Sequence, residues 1–249
     1  MAEKRVNPDS SAAGILGRRP EPLRYGDAAG SSRHEVPGII RSWMPEHIRV
    51  LDVGCGAGGQ TAEINQGKDN QVVCVEPDRR RAAAAREKGL HVHMAFFDDQ
   101  FADSCGTFDR IVFADVLEHV VDPGSLLMRA RRCLHAGGSV IVSVPNVAHW
   151  TVRTGLLIGR FDYADGGIMD ATHVRWFTRR TLVAVLRNAG FEVGRVAVSA
   201  GLWMSQYNTG VLRLIPRRVL VQAILILLRW FPGLMACQYV MQADIVREP

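Results

Sequence analysis

The 249-residue chain lacks the features that mark secreted, zinc-knuckle or membrane-spanning proteins. Its five cysteines (Cys55, Cys74, Cys105, Cys133 and Cys237) are odd in number and form no CxxC pair, which argues against a disulfide framework and a zinc knuckle alike. A reducing, cytoplasmic compartment is the expectation. Lys4 and Arg5 are followed by no apolar run, so the start does not read as a secretory signal. Neither charge sign dominates. Thirty Lys and Arg against 25 Asp and Glu leave a formal net charge of +5, a mild basic bias that does not by itself point to nucleic acid. It suits an acidic substrate or an anionic membrane surface equally well. A basic track interleaved with stacking aromatics is also missing, so nucleic acid is an unfavoured partner. What is present is a 47% hydrophobic share, ample for a sizeable core, on a length that fits one α/β domain with insertions.

Residues 1–35 are rich in Gly, Ser, Pro and Arg and show little periodicity. They read as a flexible N-terminal arm that orders near Tyr25 when ligand binds, ahead of a single domain over 36–249. Ile39, Ile40, Trp43 and Met44 share one face of a short helix that Pro45 ends. Strands and helices then alternate. Apolar runs at 49–53, 71–75, 91–96, 108–113 and 139–144 predict buried strands, and 191–199 and 237–246 predict two more. Helices are expected at 60–66, at 79–88 with Asp78 as cap, at 123–134, and at 179–188 with Thr178 as cap and Gly190 as stop. This order predicts an α/β fold: a doubly wound, mostly parallel seven-stranded sheet with helices on both faces. Residues 147–177 interrupt the alternation as a lid insertion, and 211–236 form an apolar helical segment.

The first strand runs into Asp52-Val53-Gly54-Cys55-Gly56-Ala57-Gly58-Gly59. Glycines in such a turn let a ligand approach the backbone without Cβ clashes, although a tight strand-to-helix turn needs them too. The second strand ends at Glu76, about twenty residues on, where a carboxylate can accept hydrogen bonds from ribose hydroxyls. Together they favour a nucleoside ligand. With "VLDVGCGAGG", "VVCVEPD", "FDRIVFADVLEH" and "HAGGSVIVSVPN" in this order, the chain resembles the class I S-adenosylmethionine (SAM)-dependent methyltransferases over roughly 48–195. The resemblance implies a Rossmann-like methyltransferase fold and SAM as cofactor. It also implies that Gly54, Gly56 and Gly58 wrap the methionine half, that Asp52 positions its amino group, and that Glu76 holds the ribose. Asp98, or Asp99 beside it, reaches the adenine amine, and Asp115 lines the cofactor side.

After the fourth strand comes Asp115-Val116-Leu117-Glu118-His119. A helical turn starting there places positions i, i+3 and i+4 on one face, two carboxylates and an imidazole at the carboxyl end of the sheet. Much later comes Asp170-Ala171-Thr172-His173-Val174-Arg175-Trp176-Phe177-Thr178. The spacing resembles the small-RNA 3′-end 2′-O-methyltransferases and the ubiquinone-pathway O-methyltransferases. That likeness implies Asp115, Glu118, His119 and His173 as ligands of a divalent ion, magnesium or manganese. Asp115 stands where those families usually carry Glu. The same Leu-Glu-His run also occurs in class I methyltransferases with no known metal, where it orients substrate.

The run 145–182 is similar to a bacterial methyltransferase group linked to cell-surface glycan or lipid pathways, and in part to the methionine-biosynthesis-associated MetW proteins. Within it His149, Asp170 and His173 are candidate bases, with His119 beside them. An oxygen acceptor needs its proton removed by a base or a metal. The expected function is therefore SAM-dependent O-methylation of a small-molecule, sugar or lipid-linked hydroxyl. The alternatives are a non-catalytic MetW-like SAM-binding partner and a nucleic-acid 2′-O-methyltransferase. The apolar run 219–228, flanked by Arg217, Arg218, Arg229 and Trp230, is too short for the ~20 residues of a membrane span. It reads as a core or lid helix, an oligomer contact, or an interfacial helix making peripheral membrane contact through 217–231.

Overall fold

The computed structural model describes residues 32–204, 207 and 210–246. Most of the expected arm, including Tyr25, lies outside the described residues. In chain order the elements are α1 (Val36–Trp43), β1 (Arg49–Val53), α2 (Gly59–Asn65), β2 (Gln71–Val75), α3 (Arg79–Glu87), β3 (His91–His93), α4 (Asp99–Ser104) and β4 (Phe108–Ala114). A 3₁₀ turn (Leu117–His119) leads to α5 (Pro123–Arg132), β5 (Leu134–Pro145), α6 (Trp150–Leu157), α7 (Arg179–Asn188) and β6 (Phe191–Ser199). A second 3₁₀ turn (Gly210–Leu214), α8 (Arg217–Trp230), α9 (Pro232–Met235) and β7 (Gln238–Ile245) complete the chain.

The seven strands form one sheet in the order β3-β2-β1-β4-β5-β7-β6. β7 runs antiparallel to both its neighbours, and the other strand pairs are parallel. The sheet is thus the doubly wound, mostly parallel one expected, and its strand order reverses between β1 and β4, where ligands bind in such sheets.

Strand periodicity sorts the core into two layers. Leu51, Ile111, Phe113, Val140, Val142 and Met241 face one layer with α5 and α7. Val50, Val112, Ile141 and Val240 face the other with α1 and α2. Local signals set the helix ends. The Asp78 carboxylate accepts from the N–H groups of Arg80 and Arg81, and Thr178 closes a reciprocal capping box with Thr181.

The structure departs from the expected elements in three places. The third strand stops at His93, and Asp98 caps the unforeseen α4 by accepting from the Phe101 N–H. β5 starts at Leu134, ahead of the glycine pair expected to precede it, and a register shift lies between Phe108 and Arg110 on its partner strand. The lid contains α6, capped by His149. Its ends are tied down where Val147 N–H donates to the Phe177 carbonyl (3.0 Å) and Asn146 bridges Phe177.

Leu127 on α5 is fully buried between sheet and helix layer. Leu127→Ala is expected to lower stability by about 2–5 kcal/mol. Urea unfolding should show a lower midpoint with an unchanged slope.

Candidate functional site

The glycine-rich turn opens at the carboxyl end of β1. Gly54, Gly56 and Gly58 all have positive φ (74°, 57° and 81°), which explains why glycine stands at each. Their surroundings differ. A Cβ on Gly54 would lie 2.9 Å from Val116, and one on Gly58 would lie 2.5 Å from Leu90 and 3.0 Å from Ala85. A Cβ on Gly56 would meet nothing within 4 Å. Gly54 and Gly58 therefore serve close packing, and Gly56 alone borders open space that a ligand can fill.

Glu76 is buried at the end of β2, and both its oxygens accept backbone N–H groups, Oε2 from Gly56 and Oε1 from Asp78, each at 2.9 Å. The carboxylate is fixed, and each oxygen keeps a second lone pair for a hydroxyl donor. Asp52 is buried beneath the turn and accepts from the Thr61 hydroxyl at 2.5 Å. Burial pushes its carboxyl up to about 7, against the Thr61 hydrogen bond, and Glu76 nearby adds to the rise. Asp98 is spent in part on capping α4, and Asp99 is gripped by Arg129 and Arg132.

Asp115 corrects the expected helical face. It follows β4 with φ +58°, left-handed and rare outside glycine, so no helical turn starts there. The 3₁₀ turn begins only at Leu117. The Asp115 carboxylate accepts from Ser143 Oγ and Gln238 Nε2, both at 2.7 Å. It stands outside the group that could hold a metal, which is Glu118, His119 and His173. Nothing in the local sequence pointed to Gln238, which lies 123 positions away.

Ligand atoms of Glu118, His119 and His173 all lie within 4.8 Å of one another. The lid brings them together: the Glu118 carbonyl accepts from the N–H groups of Val174 (2.9 Å) and Arg175 (3.0 Å). The two imidazoles meet edge to face with centroids 4.8 Å apart. His173 Nδ1 lies 3.1 Å from the Ile168 carbonyl, so Nδ1 is the protonated nitrogen and Nε2 the acceptor. Burial first, and then the neighbouring His119, lower its pKa to about 4. Glu118 is 1% exposed, and neither carboxylate oxygen has a hydrogen-bond partner. Burial holds this carboxyl well above its ordinary range, and the charge of Asp115 adds to the rise. A buried carboxylate with no donor is costly unless a proton or a cation occupies it. Asp170 accepts from Thr172 N–H (2.8 Å) and Thr172 Oγ1 (2.6 Å) and so shapes the turn that carries His173.

His149 does not join this group. It is fully buried, its Nδ1 caps α6 at Thr151, and its Nε2 lies 3.5 Å from the Tyr207 hydroxyl. His149, a candidate base by its place in the sequence, starts a helix in the structure.

Residues 31–196 match the family model described as a methyltransferase domain. The ubiquinone biosynthesis O-methyltransferase of Azotobacter vinelandii is 32% identical over 124 residues, 45% of this chain and 53% of that protein. The tRNA 5-carboxymethoxyuridine methyltransferase of Escherichia coli is 30% identical over 157 residues, 58% of this chain and 59% of that protein. The chain thus spans little more than half the length of these curated relatives. A solved SAM-dependent methyltransferase from Archaeoglobus fulgidus shares the fold, with a TM-score of 0.58 at 17% identity over 86% of this chain and 94% of that one.

The raised carboxyl of Asp52 has a measurable consequence. The folded state holds this proton more tightly than the unfolded state, so its contribution to stability falls as pH rises from about 4 to about 7. Asp52→Asn should remove that part of the slope in ligand-free protein, read by urea unfolding across the window. An unchanged slope would refute the assignment.

Proposed function

The chain belongs to the methyltransferase-domain family, as a class I SAM-dependent methyltransferase, and from that premise we propose that it methylates a hydroxyl of a small-molecule, sugar or lipid-linked acceptor. The observation that carries this reading is Glu118: a buried carboxylate without a donor, beside two imidazoles, at the rim where the cofactor turn opens.

Transfer is an in-line displacement, so alignment and water exclusion matter most. Gly56, with no Cβ, would let the methionine half of SAM approach the backbone, Asp52 would face its amino group, Glu76 would take the ribose hydroxyls, and Asp98 would stand at the adenine end. The acceptor oxygen attacks the methyl carbon while the carbon–sulfur bond breaks and S-adenosylhomocysteine leaves. Glu118 in its ionised form receives the hydroxyl proton, which burial then helps it hold. His173 Nε2, fixed as an acceptor by the Nδ1 bond to Ile168, orients the hydroxyl, and His119 borders the same space. Asp170 acts through Thr172 as a positioning residue.

The donor set also fits a divalent ion, since Glu118, His119 and His173 supply one carboxylate and two nitrogens and leave Glu118 unsatisfied otherwise. Magnesium or manganese held there would acidify the hydroxyl.

Gly56→Arg and Glu76→Ala are each expected to weaken SAM binding by about tenfold or more, read by calorimetry. Unchanged affinity in both would sink the cofactor assignment. Glu118→Ala and His173→Ala should instead cut turnover about a hundredfold with SAM affinity near wild type. The assay is S-adenosylhomocysteine release on a panel of quinols, sugars and RNA. Wild-type turnover in both variants on a true acceptor removes them from the site. Excess EDTA separates the two forms of the mechanism: activity lost and restored by magnesium or manganese places an ion on Glu118, and full activity leaves Glu118 as a simple base.

A further inference from the structure

The connection from β6 to β7 turns at the same rim as the candidate site. Pro145 of β5 and Ser199 of β6 both pair with Gln238, so the chain leaves β6 and enters β7 at the carboxyl ends of the parallel strands. α8 lies in this connection, beyond the 31–196 family match.

Leu220, Ile224 and Leu228, spaced four apart, bury one face of α8 in the main core. Much of the remainder of the helix is apolar as well, interrupted by Gln222 and by arginines at both ends. Val219, Ile226, Leu227 and Trp230 are exposed, Trp230 by 74%, with Leu214 before the helix and Phe231 after it. Among the described residues nothing covers this side. α6 follows β5, which ends at that rim, and the helix's own end exposes Leu156, Leu157 and Ile158, Leu157 by 84%. An apolar surface of this kind marks an interaction site.

Charge selects the partner. Arg213, Arg218 and Arg229 are exposed in and beside α8, and no acidic residue occurs between Glu192 and Asp244. Arginines beside an apolar helix face match lipid phosphates over an acyl boundary, and a terminal Trp suits the interface between them. The 14 residues of α8 extend ~21 Å. No described helix is long and apolar enough to cross a membrane, so α8 would lie in the plane of the surface.

We propose that α8 and the exposed end of α6 dock on an anionic phospholipid bilayer and turn the acceptor rim toward it. The second clause rests on the reading of that rim as the acceptor entrance. The docking does not.

Co-sedimentation of the full chain with vesicles tests it. Vesicles containing phosphatidylglycerol should bind at least about tenfold better than phosphatidylcholine alone, and salt should weaken the binding. Arg213→Gln with Arg218→Gln should cost roughly 25-fold, at about fivefold per arginine. Ile226→Asp with Trp230→Asp should cost tenfold or more. Both positions are exposed, so melting temperature and SAM affinity should hold. Absent binding, equal binding to both vesicles, or undiminished binding by the Asp variant overturns the proposal. So does a wild-type chain that ignores vesicles but forms a dimer these substitutions dissolve, which would assign the face to a second copy. Vesicle binding is read without SAM or acceptor. A chain that docks but releases no S-adenosylhomocysteine therefore refutes only the methyl-transfer reading, and the reverse result refutes only docking.

Discussion

The part of the molecule that carries Glu118, His119 and His173 hangs on two hydrogen bonds. The N–H groups of Val174 and Arg175 converge on the Glu118 carbonyl, and the Arg175 guanidinium adds bonds to the Val121 carbonyl at 2.7 and 3.0 Å. These contacts pin a long excursion of the chain against the short turn after β4. With them in place, His173 is beside His119, Thr172 bridges Asp170 to His119, and the Glu118 side chain is sealed from water. The burial that raises the Glu118 carboxyl is thus produced by the same backbone contact that delivers its histidine neighbours. Structure and chemistry are coupled at one peptide group.

This arrangement concentrates thermodynamic cost in one region. Asp52, Asp115 and Glu118 are buried acids whose carboxyls are all held above their ordinary range by desolvation. Asp115 adds a left-handed backbone that an L-residue adopts at a penalty. The surrounding sheet offsets this with a dense core in which Ile111, Phe113, Ile141 and Phe191 are fully buried. Unfavourable groups held by a rigid frame are what a preorganised site requires, because the frame keeps them from relaxing toward water.

Much of the frame was legible in the sequence because it is written locally. The first two strands are apolar runs that Gly54 and Glu76 end, and Asp78 and Thr178 announce their helices. The failures have particular causes. Ala95 and Phe96 continue the apolar run of β3, yet the chain has already left the sheet there, and Phe96 stands 71% exposed. α6 has no amphipathic stripe to detect. Only Val152 of it is buried, and Thr151, Val152 and Gly155 are poor helix formers. Spacing alone made Asp115, Glu118 and His119 neighbours on a helix, and a positive φ at a non-glycine residue undid that. The distinct duties of the three glycines in the cofactor turn were equally hidden, since only the positions of Val116, Leu90 and Ala85 reveal which of them faces open space.

The antiparallel β7 has a consequence for how such a chain can change. Because it pairs with both β5 and β6, the segments leaving those two strands emerge side by side, while β1 and β2 carry the glycine turn and Glu76 on the other half of the sheet. The two halves are carried on different strands and meet at the turn after β4, where Val116 packs on Gly54 and Asp115 takes Ser143 and Gln238. A lineage can therefore rewrite the loops over β5 and β6, by insertion or exchange, and keep the nucleoside half intact. In that sense the fold is a fixed socket with an interchangeable fitting.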